Sequence, residues 1–367
     1  MDVQSYDKLK YIYLIWKGHN LKRGLSINEW LVGGLLILLF FLLVGCSELP
    51  AQQPASSVTS TAETTPAATQ QARIVPARTG SSMAYDEKSK QIILFGGDSY
   101  NDTWVWDGQT WTQLFPASVP PIRSDASMAY DAASGQLILF GGVGTTGTAL
   151  GDTWTWDGAN WLPLSPAVSP PARAQANLVY DAATQRLVLF GGTLMGRQHA
   201  TAVANDTWTW DGSNWTQARP QVSPSARAQA SMAYDSAARQ VILFGGTTAT
   251  QELNDTWVWN GSNWSQLHPA TQPSVRSGAD LVYDANSAQT VLFAGSNAAG
   301  DLSDTWVWNG SNWVQHTTQP APAGSYIQAV YSPTQQAIVA YVVLVQNKAI
   351  SASQTWLWNG KVWHTES

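Results

Sequence analysis

Five arginines and five aspartates recur in step along the chain: Arg78 with Asp102, Arg123 with Asp152, Arg173 with Asp206, Arg227 with Asp255 and Arg276 with Asp304. A guanidinium presents a rigid fork of N–H donors, and a carboxylate presents two acceptor oxygens. The pattern therefore has two readings. In one, the arginines form a rim that binds an anionic or polar ligand, with the aspartates beside them. In the other, each arginine pairs with a carboxylate of its own or the neighbouring repeat and serves the fold. A sixth repeat carries Gly324 and Gln354 at the two positions, and this joint loss favours pairing. Arg197 and His199 join the candidate binding set because they lie in the longest variable stretch, and Asp98 is a further acid/base candidate. The histidines form no His-x-His or His-x3-His pair, so no metal site is evident and no cofactor is expected. Nothing in the sequence pairs a nucleophile with a base, so no catalytic residue is assigned.

These residues are positioned by a repeat. "NDTWVWDGQTW" at 101–111 returns five more times, last as "SQTWLWNGKVW", and eighteen of the 20 Trp fall in the six copies. Aligned on Tyr85, Tyr130, Tyr180, Tyr234, Tyr283 and Tyr331, the units step by 45, 50, 54, 49 and 48 residues, within the range of repeat architectures. Each unit carries four strand signals. Strand A ends in "AYD" or "VYD". Strand B ("QIILF") is a continuous apolar run, as for a strand covered on both faces. Strand C ("TWVW") alternates, and strand D starts at the third Trp. Asp-Gly or Asn-Gly between C and D is a strong hairpin signal. Four antiparallel strands in six units predict an all-β, six-bladed propeller over 73–367. Tryptophans at the same positions in every unit fit packing between blades better than six ligand sites.

The unit resembles Kelch repeats of the galactose-oxidase-like type: an Arg opening strand A, Gly-Gly closing strand B, and Trp in strand C. The resemblance covers 73–367 and is degenerate in the sixth unit, where Ala340–Val343 replaces the Phe-Gly-Gly region. It implies that arginines at the start of strand A are able to contact ligand, as in Kelch domains that bind acidic peptides. Copper radical chemistry does not carry over, because the sole cysteine, Cys46, lies outside the propeller. "GVGTTG" at 142–147 opens no helix and is not a dinucleotide site.

Length varies in one place. Between the second Gly of strand B and the Asp of Asp-Thr-Trp, units one to five hold 4, 9, 13, 8 and 8 residues. In a meander the B–C and D–A connections share a face, so all variation, the five arginines and the five aspartates lie on that face. Insertions confined to one face commonly mark the binding face of a repeat protein.

The N-terminal region is of another kind. Lys8, Lys10, Lys17, Lys22 and Arg23 precede "WLVGGLLILLFFLLVGCS" at 30–47, an uncharged stretch with the form of an export signal. "LVGC" resembles the lipobox of bacterial lipoproteins, which implies cleavage before Cys46 and its lipidation. An uncleaved membrane anchor is the competing reading of 1–46. Residues 47–72 are Ser/Thr/Pro/Ala-rich and read as a flexible linker. The net charge is -6 and basic clusters are confined to the N-terminus, so nucleic acid is not expected as a partner. The expectation is a monomer tethered outside a bacterial cell membrane. It acts as a scaffold for an extracellular protein or glycan through the B–C loop face; the alternative is a carbohydrate-active enzyme, such as an epimerase or mutarotase, on the same face.

Overall fold

The computed structural model describes residues 74–195, 201–317, 321–322, 326–346 and 349–366. They form six four-stranded antiparallel sheets, each contiguous in sequence. Blade one is Ser82–Asp86 (strand A), Gln91–Phe95 (B), Thr103–Trp106 (C) and Trp111–Leu114 (D). The A strands of the next five blades are Ser127–Asp131, Asn177–Asp181, Ser231–Asp235, Asp280–Asp284 and Tyr326–Ser332. Each A strand touches the A strands of the blades on either side, and Tyr326–Ser332 touches Ser82–Asp86, so the ring closes. The six-bladed propeller expected from the repeats is the observed fold. The readings made on residues 1–73, Cys46 among them, lie outside the described residues.

Local chemistry explains each blade. The Asp-Gly turn of blade one is held by Asp107, whose Oδ1 accepts from the backbone N–H groups of Gln109 and Thr110. Gly108 there has φ 107°, a conformation that L side chains rarely adopt. Strand B is buried because it has neighbouring blades on both faces; Leu94, Leu139, Leu189, Leu243 and Leu292 all have 0% exposure. Of the eighteen repeat tryptophans, all but Trp154 and Trp356 are buried.

The seams between blades repeat one contact. The third Trp of each unit donates its indole N–H to the strand C Thr of the preceding blade. Trp161 meets Thr103, Trp215 Thr153, Trp264 Thr207, Trp313 Thr256 and Trp363 Thr305, at 2.9–3.1 Å. Trp111 completes the circle by donating to Thr355 of blade six at 2.9 Å. The same rings lie against the preceding blade's strand B phenylalanine, as in Phe95–Trp161 at 5.0 Å between centroids. Such aromatic pairs contribute about 0.5–1.5 kcal/mol beyond their buried area. At the closing seam Tyr341 replaces phenylalanine, 6.2 Å from Trp111.

Two features go beyond the sequence reading. The sixth unit is elaborated at the place where the sequence suggests decay. Its strands Ala337–Gln346 and Ala349–Trp358 form a ten-residue-per-strand hairpin. Without Gly-Gly to turn the chain, the valine-rich run Val342–Val345 continues the ladder, with a register shift at Leu344/Val345. The segment before blade one adds no strand to blade six among the described residues. Instead Val75, 1% exposed, packs with Met83, Trp111 and Tyr341. The Tyr341 hydroxyl donates to Pro76 O and the Ser353 hydroxyl to Val75 O. The chain wedges into the closing seam.

Candidate functional site

The five arginine side chains are fully buried. Arg173 is representative. Its Nε donates to Pro171 O at 3.0 Å, Nη1 to Gly191 O at 2.9 Å and to Asp206 Oδ1 at 2.5 Å, and Nη2 to Asp206 Oδ2 at 2.8 Å. Arg78–Asp102, Arg123–Asp152, Arg227–Asp255 and Arg276–Asp304 repeat the bidentate pair within their own blades. The arginine backbone joins in, since Arg173 O accepts from Gly142 N of the preceding blade. A Cβ on Gly141 would lie 2.4 Å from Arg173 O, which is why strand B of this blade is followed by glycine; blade five, whose next blade has no such arginine, carries Ala294 in that place. Each aspartate also accepts from the first Trp of its strand C, as Trp208 Nε1 to Asp206 Oδ2 at 2.7 Å. Burial pushes these carboxyls up, but the arginine and tryptophan hydrogen bonds and the arginine charge outweigh it. Asp152, Asp206, Asp255 and Asp304 are held below the usual carboxylate range. The arrangement is that of the pairing alternative: the guanidinium donors are spent inside the protein, and Arg78 is also covered by the Tyr100 ring at 4.0 Å. In blade six the tryptophan bond survives without arginine, from Trp356 Nε1 to Gln354 Oε1 at 3.1 Å.

The B–C and D–A connections share a face as expected, since Arg123–Ser124 pairs with Val143–Gly144. The longest loop forms a small ladder, Thr193–Met195 with Thr201–Val203; Arg197 and His199 lie outside the described residues. Asp98 is exposed but engaged, accepting from the Thr79 hydroxyl at 2.5 Å and the Thr79 N–H at 2.9 Å. His268, His316 and His364 are not brought together in a cluster, and among the described residues no group of His, Cys, Asp and Glu is placed to hold a metal.

The A strands surround a central channel with a cavity of about 760 Å³. Its mouth on the B–C face is made by the residue two past each arginine: Gly80, Asp125, Gln175, Gln229 and Gly278. All five have positive φ, from 52° to 65°. That conformation directs their amides round the mouth. Asp125 N bonds Gly80 O, Gln175 N bonds Asp125 O, Gln229 N bonds Gln175 O, and Gly278 N bonds Gln229 O. Among the described residues this circlet ends at Gly278. Asp125, Gln175 and Gln229 take this left-handed backbone without being glycine, as do the A–B turn residues Lys90, Gln185, Arg239, Ala288 and Gln336, at about 1–3 kcal/mol each. Burial pushes the Asp125 carboxyl up, the Asp98 charge adds to this, and the hydrogen bonds with Ser124 and Gln175 oppose it.

Further down, the position three before each tyrosine faces the channel. Ser82, Ser127 and Ser231 each donate a hydroxyl to a carbonyl of the next blade, at 2.6–2.8 Å. Blade five has Asp280 there. It accepts from the Ala329 and Leu281 N–H groups, yet burial dominates and pushes its carboxyl up to about 7. Its Oδ2 is buried with no hydrogen-bond partner. The opposite end of the channel is collared by Tyr85, Tyr130, Tyr180, Tyr234, Tyr283 and Tyr331. The sequence reading passed over Asp125, Gln175, Gln229 and Asp280. The signal available was divergence at otherwise matched repeat positions, which only matters once those positions are known to face the channel.

No protein-family model and no curated protein matches the sequence. Among solved structures the chain is similar to one described as "Structure of YjhT", with 16% identity, over 80% of this chain and 98% of that one, at a TM-score of 0.60. At that identity the likeness is one of fold.

Proposed function

We propose that this protein is a Kelch-like binding module, tethered outside the membrane through its N-terminal region, that takes the end of a polar, non-anionic glycan into its channel mouth. The observation that carries this reading is the trio Asp125, Gln175 and Gln229 set around a cavity of about 760 Å³, while every rim arginine is turned inward. Carboxamides donate to and accept from sugar hydroxyls, a carboxylate accepts from them, and small-ligand pockets occupy roughly 300–1,000 Å³. The neighbouring carboxyls Asp98, Asp125 and Asp280 disfavour an anion. The tether rests on Cys46 at the end of the apolar stretch. Full-length protein in detergent, screened against glycans and followed by calorimetry, tests the site. A Gln175→Ala/Gln229→Ala variant with unchanged melting should bind at least tenfold more weakly; equal binding overturns the proposal. A palmitate analogue incorporated by the wild type and lost in Cys46→Ala tests the tether.

An enzymatic reading of the same channel has one observation in its favour, Asp280 in the channel wall, whose carboxyl burial pushes up to about 7. Sugar interconversion by the protein, lost in Asp280→Asn, would establish it.

A further inference from the structure

Asp280 departs from the logic of its own repeat. At the equivalent position in three blades a serine hydroxyl satisfies a carbonyl of the next blade. Serine is therefore sufficient for the seam, and a carboxyl is not required by the fold. Asp280 brings a second oxygen that no group among the described residues reaches. The position lies in the channel wall two residues past Gly278, whose amide makes the last described link of the circlet. An oxygen that is buried, polar and unpartnered in a cavity wall is costly and calls for a donor from outside the fold.

We propose that the glycan of the proposed site carries a primary ammonium group and that Asp280 is its counter-ion in the channel wall. This rests on the reading of the channel mouth as a glycan site. An ammonium supplies three donors and the positive charge that a desolvated carboxylate lacks. Asp125 also lines the channel, and among the described lining residues the one arginine, Arg78, is neutralised by Asp102. The charge balance of the wall thus favours a cation. Oδ2 is closed off from solvent, so the ammonium reaches it with a rotation of the side chain about Cα–Cβ, opposed by the two backbone hydrogen bonds from Ala329 and Leu281. When Asp280 meets the ammonium it gives up its proton to solvent, and the bound state is an ion pair.

The probes are a β-linked glucosamine tetramer and its fully N-acetylated counterpart, titrated into full-length protein in detergent at pH 6.5. The wild type should prefer the free amine by at least tenfold. Asp280→Ser, which installs the residue found in three other blades, should lose that preference while melting as well as the wild type. Asp280→Asn is the second variant should the serine protein be unstable. Glu87→Gln, on the tyrosine-collared side, should keep the preference, which separates a specific ion pair from general attraction to an acidic protein. Equal binding of both tetramers by the wild type, no binding of either, or a preference retained in both Asp280 variants overturns the proposal. Equal binding that is lost in Gln175→Ala/Gln229→Ala refutes the ammonium while leaving the mouth site standing.

Discussion

Replacing Arg173 with methionine separates a staple from a ligand contact. Methionine fills much of the volume of the arginine stem but removes bonds to Pro171 O, Gly191 O and both oxygens of Asp206. Asp206, with 20% of its side chain exposed, is left with Trp208 as its remaining side-chain donor. Removing one partner of a buried ion pair costs about 3–5 kcal/mol, and the partial exposure of Asp206 places this case near 3. The arginine side chain has 0% exposure, so the effect should change little with added salt. A kilocalorie shifts melting by about 2–4 °C in domains of 150–250 residues. The propeller is longer, so the lower figure applies and the expected drop is about 6 °C in scanning calorimetry. Adding Asp206→Leu in the same protein should recover part of the loss, because the orphaned charge is gone. Methionine at 173 with melting within about 1 °C of the wild type would refute the staple, and a simultaneous loss of glycan binding would restore the arginine rim as the ligand contact.

Stability should also depend on pH in an unusual window. The folded carboxyl of Asp280 lies at about 7 against about 3.9 unfolded, so the folded chain binds the extra proton and stability falls as pH rises from about 4 to about 7, by roughly 4 kcal/mol in all. Asp125 adds in the same direction. Asp152, Asp206, Asp255 and Asp304, held low, act oppositely, and the stability they contribute is lost as pH falls below the usual carboxylate range. Melting scans from pH 4 to 8 should show the decline in the wild type and a much flatter profile in Asp280→Ser. Thr355→Val should cost about 1–3 kcal/mol by leaving the Trp111 indole N–H unpaired, and Thr103→Val should cost about the same, since it leaves the Trp161 indole N–H unpaired in the same way. Denaturant titration compares them. Deleting residues 70–76 should lower melting by several degrees through loss of the buried Val75; unchanged melting would contradict the wedge.

The ring was legible because the repeats compare themselves. A third Trp five residues after the second, in all six units, announces one shared packing role, and the joint absence of Arg and Asp in the sixth unit announces their pairing. What escaped was position-specific. Asp280 reads as one more aspartate until its counterparts, serine in three of the other blades, are seen to lie in a channel wall. The sixth hairpin read as decay because its signal is the absence of glycine, and a valine-rich run does not say where it turns. Val75 escaped because a single apolar residue beside Pro76 carries no periodicity, while the partner that holds it, Tyr341, differs from the other units by one hydroxyl.

The circlet of amide bonds round the mouth acts mechanically as a row of links, tying Gly80, Asp125, Gln175, Gln229 and Gly278 from blade to blade. The N-terminal chain is anchored elsewhere, by the bonds from the Tyr341 and Ser353 hydroxyls to Pro76 O and Val75 O. Any pull on that chain is therefore delivered to two strands of blade six at the seam with blade one, and those two hydrogen bonds with the buried Val75 are the first contacts it loads.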